Sequence, residues 1–281
     1  INYTGHSSGE LRGCINDTQK IVNFLKTRCG YTDENITILT DDSDNKPTKQ
    51  NILNGINNLA NKSSECKELW FSYSGHGAYL TSNNNDNESD NKDEVLVPLD
   101  YQTSGLIRDD TIYANLVKKI PTDCKLFSLI DACHSGTSLD LPYVYRVDSG
   151  IMENRPEENI CNVLKISGCR DSQTSADAYI NGKFQGALTF AFIKTMEDFN
   201  YNFTSKQIVS RLKNYLNNNN YPQIPTLSLS KSSLLNELVM GDKNSEDPNV
   251  NIYLKGDSWC KDESSWNLYS INENKNIFDT Q

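Results

Sequence analysis

A cysteine and a histidine in this sequence each follow an apolar, strand-like run and lie in a turn bounded by glycine. His76 follows the run Leu69–Tyr73, and Cys133 follows the run Leu126–Ile130. In an open α/β sheet, ligands bind outside the carboxyl ends of the strands, so two parallel neighbouring strands would bring His76 and Cys133 together. An imidazole within hydrogen-bond reach holds a thiol as the nucleophilic thiolate. The pattern therefore predicts a Cys–His peptidase or acyl-transfer enzyme.

Each residue also has a plainer interpretation. A cysteine after a strand is often a buried apolar residue, and a histidine in a loop is often a surface residue. The flanking glycines favour catalysis, because they let backbone N–H groups approach a substrate as oxyanion donors. Gly77 and Cys133 are the candidate donors. His134 is a poor candidate for the base, since successive side chains of an extended segment point to opposite faces.

Alternating strands and helices must position these two turns. Helices are predicted over about 16–29, from a Thr48 cap through Leu59, and over 109–120, 187–199 and 205–216. Strands are predicted over 69–73, 95–98, 126–130, 163–167 and 226–229, with a short β-rich run at 36–40. The alternation indicates an α/β fold, a central, mostly parallel sheet with helices on both faces. Residues 81–93 are predicted to be disordered, 142–159 to form a loop, and the polar residues from 241 to form a tail or flap.

The two turns, Tyr73-Ser74-Gly75-His76-Gly77 and Asp131-Ala132-Cys133-His134-Ser135-Gly136, resemble the histidine and cysteine motifs of the caspase-like clan of cysteine peptidases. Other short sequence motifs narrow the resemblance to type I metacaspases: Ile1–Tyr3, Leu11–Asp17, Val97–Tyr101, Leu139–Tyr143, Ser167–Asp177, Gly186–Thr189 and Pro222–Pro225. The resemblance covers residues 1–235 in unbroken order. It implies a caspase-like three-layer sandwich over 1–240, with a large-subunit-like part (1–145), a linker (146–160) and a small-subunit-like part (161–240), followed by a tail or flap over 241–281.

Acidic residues near the nucleophile indicate a pocket for a basic side chain. A buried Arg or Lys needs carboxylate partners, and Asp131 lies two residues before Cys133. Asp17 is a second candidate, although an acid at a helix start commonly complements the helix dipole. The metacaspase resemblance implies that Asp17, Asp131, Ser74 and Cys14 line a pocket selecting Arg or Lys, in contrast to caspases proper, which select Asp.

Calcium prefers several oxygen ligands. From the residues alone, Asp109 and Asp110 are typical of a helix cap, and Asp93 of a solvated loop. The resemblance instead implies a calcium site near the active centre at Asp93, Asp109, Asp110 and Asp140. Neither acidic run at 41–48 nor the one at 86–93 has EF-hand spacing.

The segment 142–159 contains two arginines, Arg146 and Arg155, each a possible site of self-cleavage. The alternative is a linker that is never cut. Other readings of the whole chain are a catalytically silent relative that acts as a scaffold, an Asp-specific caspase-like peptidase, or a transpeptidase-like ligase with the same Cys–His pair. The intact Cys133 and His76 argue against the silent relative.

Composition restricts partners and location. The net charge of −10 argues against nucleic acid and suits cationic substrates or a divalent cation. No apolar run is long enough to span a membrane. Eight dispersed cysteines without CxxC pairs predict neither a zinc site nor a disulfide framework, and favour a reducing compartment, the cytoplasm. Protein or peptide substrates and a monomer are expected from the resemblance.

Overall fold

The computed structural model describes helices and strands that alternate along the chain. Residues 1–6, 9–81, 92–133, 135–136, 138–154, 161–168, 177–180, 182–198, 203–239, 251–254 and 267–270 are described. The chain divides into two units, Ile1–Met240 and Gly241–Gln281. The strands of the larger unit are β1 (Glu68–Ser74), β2 (Gly77–Thr81), β3 (Lys92–Leu96), β4 (Ile107–Arg108), β5 (Lys125–Asp131), β6 (Tyr143–Arg146), β7 (Ile151–Asn154), β8 (Asn162–Ser167), β9 (Asp177–Ile180), β10 (Lys183–Gly186) and β11 (Thr226–Leu229). Its helices are α1 (Cys14–Arg28), α2 (Lys49–Lys62), α3 (Tyr101–Ser104), α4 (Asp109–Asn115), α5 (Ala187–Asp198) and α6 (Ser205–Asn218).

A six-stranded mixed sheet lies at the centre of this unit, in the order β1-β5-β8-β11-β6-β7. β1, β5 and β8 are parallel, whereas β11 runs antiparallel to both β8 and β6, and β6 and β7 form an antiparallel hairpin. A three-stranded sheet, β2-β3-β4, and the hairpin β9–β10 complete the strands that the structure describes in this unit. The parallel pair β1 and β5 carries the two candidate catalytic turns at its carboxyl ends.

The side chains of β5 show why the sheet needs helices on both faces. Phe127 and Leu129 belong to one buried cluster, and Leu126 and Ile130 to another, because successive strand residues point to opposite faces. Helices α1, α5 and α6 supply the first cluster, with Phe24, Phe192 and Leu212 among its members. Helices α2 and α4 supply the second, with Ile56 and Ile112. The three layers confirm the predicted α/β sandwich with helices on both faces of the sheet.

Four local expectations were wrong in part. The expected loop at 142–159 contains the hairpin β6–β7 over 143–154, whereas the linker boundaries at 146 and 160 stay a prediction. Its turn is closed where the Gly150 N–H donates to the Arg146 carbonyl at 2.8 Å, and Gly150 has φ of 71°. The segment expected to be disordered at 81–93 contributes Thr81 to β2 and Lys92 and Asp93 to β3.

The remaining two differences concern residues 36–40 and the carboxyl end of α4. The β-rich run at 36–40 forms no strand. The helix expected over 109–120 ends at Asn115 and is followed by a 3-10 turn, Val117–Lys119. Thr48 caps α2 as expected, accepting a hydrogen bond from the Asn51 N–H at 3.3 Å.

In the smaller unit, β12 (Asn251–Leu254) and β13 (Asn267–Ser270) pair in antiparallel fashion. Within the described ranges, no helix combines the length and apolarity needed to cross a membrane.

Candidate active site

The parallel pairing of β1 with β5 brings the two glycine-bounded turns together. Ser74 is the register partner of Asp131, and the Gly75 N–H donates to the Asp131 carbonyl at 3.3 Å, so the contact continues past the strand ends. Cys133 is half-buried. A Cβ added to Gly77 would lie 2.0 Å from the Cys133 carbonyl oxygen, so residue 77 must be glycine for the turns to meet. The sequence argument for their proximity is thus matched by the backbone geometry.

The imidazole of His76 is held on two sides. Its Nε2 lies 2.6 Å from the Gly9 carbonyl oxygen, which can only accept, so Nε2 carries a proton and donates. The Tyr3 ring packs beside the imidazole with 4.7 Å between ring centroids. The Tyr3 hydroxyl accepts from the His76 N–H at 2.9 Å and donates to the Val97 carbonyl at 2.7 Å. With Nε2 engaged, Nδ1 is the ring nitrogen left to exchange a proton with a nucleophile.

Neither Gly9 nor Tyr3 was identified as part of the site from sequence. The carbonyl of Gly9 gives no sequence signal, because any residue offers one. Tyr3 lies in Ile1–Tyr3, one of the short sequence motifs that resemble metacaspases. That motif was the one sequence signal that could have pointed to a role for Tyr3.

Two buried carboxylates, Asp17 on α1 and Asp131 at the end of β5, lie side by side under the turn that joins β10 to α5. Both oxygens of Asp17 accept from the Gly186 N–H, at 2.9 and 3.0 Å. Asp131 Oδ2 accepts from the N–H and the hydroxyl of Thr189, at 2.8 and 2.9 Å. A Cβ on Gly186 would lie 2.2 Å from Asp131 and 2.7 Å from Asp17, so the pair requires glycine there. We call these two residues the pocket acids.

Burial and charge repulsion both raise the pKa of the Asp17 carboxyl group. Burial raises the pKa of Asp17 well above its ordinary value, and the neighbouring Asp131 carboxylate raises it further. The Gly186 N–H and the Lys20 ammonium oppose this rise in pKa. A cation placed against the pocket acids would relieve the repulsion and favour the ionised form, so the arrangement is suited to a basic ligand.

Ser74 and Cys14 complete the set predicted for the pocket. Ser74 is half-buried and is the strand neighbour of Asp131. Cys14 is buried at the first position of α1, close enough to the Tyr3 and Tyr73 hydroxyls to contribute to the raised pKa of each tyrosine, for which burial is the main cause. Thr189 and Gly186, which hold the pocket acids, were not assigned this role from sequence, although both lie in the motif Gly186–Thr189.

The four aspartates predicted to bind calcium differ in environment. Asp93 on β3 and Asp109 on α4 are buried, Asp140 is half-buried with φ of 47°, and Asp110 is exposed. Asp93 forms an ion pair with Arg108. Asp109 accepts from the N–H of Glu94 at 3.1 Å, which places it beside the residue that follows Asp93.

Binding of calcium by these four side chains stays a prediction. In the part of the chain that the structure describes, no group of three or more His, Cys, Asp or Glu side chains could hold a metal ion. The Arg108 guanidinium already neutralises Asp93, although neither buried oxygen of Asp93 accepts a regular hydrogen bond. We call Asp93 and Asp109 the rear acids.

One of the two predicted self-cleavage residues, Arg146, is held in the β6–β7 hairpin. Arg146 lies in β6 opposite Ile151, and its guanidinium forms two hydrogen bonds, both 2.9 Å, to the Glu153 carboxylate. Arg155 lies outside the described residues. Cleavage after Arg146 would therefore require the β6–β7 hairpin to open.

Comparison with known proteins shows that this chain is similar to metacaspases. The family model described as "Metacaspase, peptidase C14 domain" matches residues 1–142. Metacaspase-1 from Meyerozyma guilliermondii is 37% identical over 84% of this chain and 69% of that protein, and Metacaspase-1 from Mycosarcoma maydis is 35% identical over 82% and 68%. The crystal structure of caspase-1 from Spodoptera frugiperda superposes with a TM-score of 0.52 at 16% identity, covering 80% of this chain and 81% of that one, which shows a shared fold.

Proposed function

Because the chain belongs to the metacaspase family of cysteine-type peptidases, we propose that it hydrolyses peptide bonds after Arg or Lys, with Cys133 as nucleophile and His76 as base. The observation that supports the specificity is the pair of pocket acids, both buried: Asp131 lies two residues before Cys133 and accepts from Thr189, and Asp17 accepts from Gly186. A site that selects Asp would need basic residues at these positions, since like charges repel.

In the proposed reaction, the substrate's basic side chain enters against the pocket acids and Ser74. The Cys133 thiolate attacks the scissile carbonyl carbon and forms a tetrahedral adduct, whose oxyanion is stabilised by the backbone N–H groups of Gly77 and Cys133. The C–N bond then breaks, and His76, in its imidazolium form, donates a proton to the departing amine. The acyl group remains bound to Cys133 as a thioester. Neutral His76 then takes a proton from water, which attacks the thioester and releases the acid product and Cys133.

The hydrogen bond from His76 Nε2 to Gly9 supports this assignment. This hydrogen bond orients the imidazole ring and keeps a proton on Nε2, so that Nδ1 is available to the nucleophile. In a Ser-His-Asp triad, the Asp carboxylate orients the histidine in the same way. Packing of Tyr3 against the ring restricts its rotation. A two-residue catalytic pair can therefore be oriented without an acidic third member.

We also propose that calcium activates the enzyme through Asp93, Asp109, Asp110 and Asp140. The proposal rests on the metacaspase resemblance, and the burial of the rear acids supports it. Arg108 opposes it, because its guanidinium neutralises Asp93. Calcium would have to replace Arg108 at Asp93, and isothermal titration calorimetry of calcium into the Arg108→Gln and Asp93→Asn variants tests this exchange.

Self-cleavage within 142–160 is proposed at Arg155 in preference to Arg146, since Arg146 is held in the β6–β7 hairpin by Glu153. Mass spectrometry of the chain after calcium addition tests the choice. Arg155→Gln should abolish the fragment ending at residue 155, and Arg146→Gln should leave it. A new terminus at residue 146 in the unaltered chain would reverse the assignment.

The deciding experiment for the activity is hydrolysis of fluorogenic peptides ending in Arg, Lys or Asp, with and without millimolar calcium. Cleavage after Arg or Lys that is lost in Cys133→Ala is expected. Cleavage after Asp would overturn the role of the pocket acids and leave the Cys–His pair intact. A folded protein that cleaves none of the peptides would favour a silent scaffold.

A further inference from the structure

A lysine on the central sheet is completely buried next to the candidate nucleophile. Lys165, on β8, has a relative exposure of 0%. Its Nζ donates to the Ser135 carbonyl at 2.9 Å, the Gly136 carbonyl at 2.8 Å and the Ser138 hydroxyl at 3.3 Å. These three acceptors belong to the turn that follows Cys133.

The sheet provides a polar row for this ammonium. Lys165 pairs in register with Ser128 on β5 and with Ser228 on β11, and both serines are buried. Alternation along the strands places the row on the face covered by α2 and α4, since the neighbouring Leu164 and Ile166 belong to the opposite cluster. The Ser228 hydroxyl donates to the Gly136 carbonyl at 3.2 Å, the same oxygen that receives Lys165.

The turn itself is braced from within. The Ser138 hydroxyl donates to the Ser135 carbonyl at 3.0 Å, and the Ser135 hydroxyl donates to the Ala132 carbonyl at 2.8 Å. Through Ser135, these contacts connect the lysine to the carbonyl of Ala132, the residue directly before Cys133. Burying an ammonium is expensive unless charge-assisted hydrogen bonds compensate for the lost solvation. Methionine would fill the same space without that cost.

We propose that Lys165 is a positioning residue that fixes the turn after Cys133 and thereby holds the nucleophile in its reactive orientation. This inference rests on the proposed function only in taking Cys133 as the nucleophile. Lys165 reaches backbone carbonyls and a hydroxyl, and it acts on catalysis through the backbone.

The test compares Lys165→Met with Lys125→Met in the full chain. Lys125 is a half-buried lysine at the opposite end of β5 whose ammonium donates to the Leu238 carbonyl, which makes it a matched control. Two quantities are measured: the rate at which iodoacetamide labels Cys133, followed by peptide mass spectrometry, and the kcat and KM for an Arg peptide.

We expect Lys165→Met to slow labelling of Cys133 about tenfold and to lower kcat about tenfold, because the turn after Cys133 loses charge-assisted hydrogen bonds, which are stronger than neutral ones. KM should stay within about twofold, because the pocket acids are untouched, and Lys125→Met should match the unaltered chain. A folded Lys165→Met protein whose labelling rate and kcat stay within about twofold of normal would overturn the proposal, since a lysine with a purely structural role would change only stability.

Two further outcomes are decisive. If Lys165→Met does not fold, Ser138→Ala, which removes one acceptor of the ammonium, is measured in the same way. Slower labelling then supports the proposal, and unchanged labelling overturns it. If Cys133 of the unaltered chain is not labelled faster than the other cysteines, the proposed nucleophile fails, and this inference falls with it. That result is distinct from a reactive Cys133 indifferent to Lys165.

Discussion

The pocket acids and the rear acids are both pairs of buried aspartates, yet the molecule treats their charge differently. Asp17 and Asp131 have relative exposures of 1% and 5%, and Asp93 and Asp109 of 1% and 2%. The pocket acids are held by backbone N–H groups and a threonine hydroxyl, and their mutual repulsion raises the pKa of Asp17. In the rear pair, the Arg108 guanidinium neutralises Asp93.

The difference suggests two uses for buried negative charge. Hydrogen bonds from neutral donors orient carboxylates but leave net charge, so the pocket acids favour an incoming cation. The ion pair with Arg108 neutralises the Asp93 carboxylate within the protein itself, so a cation from solution must compete with Arg108 for Asp93. The proposed selection of a basic side chain uses the first arrangement, and the proposed exchange of Arg108 for calcium uses the second.

The strongest way to break this comparison is to remove one pocket charge. Asp131→Asn should lower kcat/KM for Arg peptides about 10³-fold, because losing one partner of a buried ion pair costs about 3–5 kcal/mol and each 1.36 kcal/mol is a factor of ten. Steady-state kinetics on folded protein measure the effect. Asp100→Asn is the control, since Asp100 also accepts a backbone N–H, from Lys49 at 2.7 Å, but at the start of α2. A loss of less than about tenfold in Asp131→Asn would show that Asp131 does not receive the substrate's charge.

A second change keeps both charges and disturbs their spacing. Gly186→Ala should lower kcat/KM about 10²-fold, because the new Cβ would occupy the space of the Asp131 and Asp17 oxygens. Gly55→Ala is the control: Gly55 lies in α2, and a Cβ there meets no atom within 4 Å. Activity of Gly186→Ala within about threefold of normal would mean that the carboxylates can move apart without loss of function.

Sequence reasoning could predict which residues lie together at the strand ends. His76 and Cys133 could be expected to meet because parallel neighbouring strands share a carboxyl edge. The surrounding contacts could not be derived, because they come from distant parts of the chain: Gly9 contacts His76, Thr189 contacts Asp131, and Lys165 contacts the turn after Cys133. No local periodicity encodes such contacts.

Other errors came from composition. The segment at 142–159 was interpreted as a loop because of its charges and turn residues. Those turn residues close a hairpin whose strands carry Val144 and Tyr145 into the core. Asp93 was expected in a solvated loop because of its Asn-rich neighbours, and it is buried in β3.

The rear acids provide a test based on stability. Arg108→Gln should lower the free energy of unfolding by about 3 kcal/mol at neutral pH, because Asp93 would be left buried without its cationic partner. Chemical denaturation measures this change. Arg146→Gln is the control: its partner Glu153 is half exposed, so its loss should cost no more than about 1 kcal/mol. Calcium should recover more stability in Arg108→Gln than in the unaltered chain. Equal calcium responses would contradict the idea that Arg108 and calcium compete for Asp93.

The smallest expected effect is a pH dependence that separates the two pairs. Because the folded pKa of Asp17 lies well above its ordinary value of 3.8, the folded protein retains a proton that the unfolded chain releases. Stability should therefore decline as pH rises from that ordinary value toward the raised one. Binding of a substrate guanidinium favours the ionised form, so KM for Arg peptides should fall over the same rise in pH. Asp17→Asn should remove both trends, whereas Arg108→Gln should leave the trend in KM intact. A KM that is independent of pH between about 4 and 8 in the unaltered chain would show that Asp17 does not titrate in response to the substrate's charge.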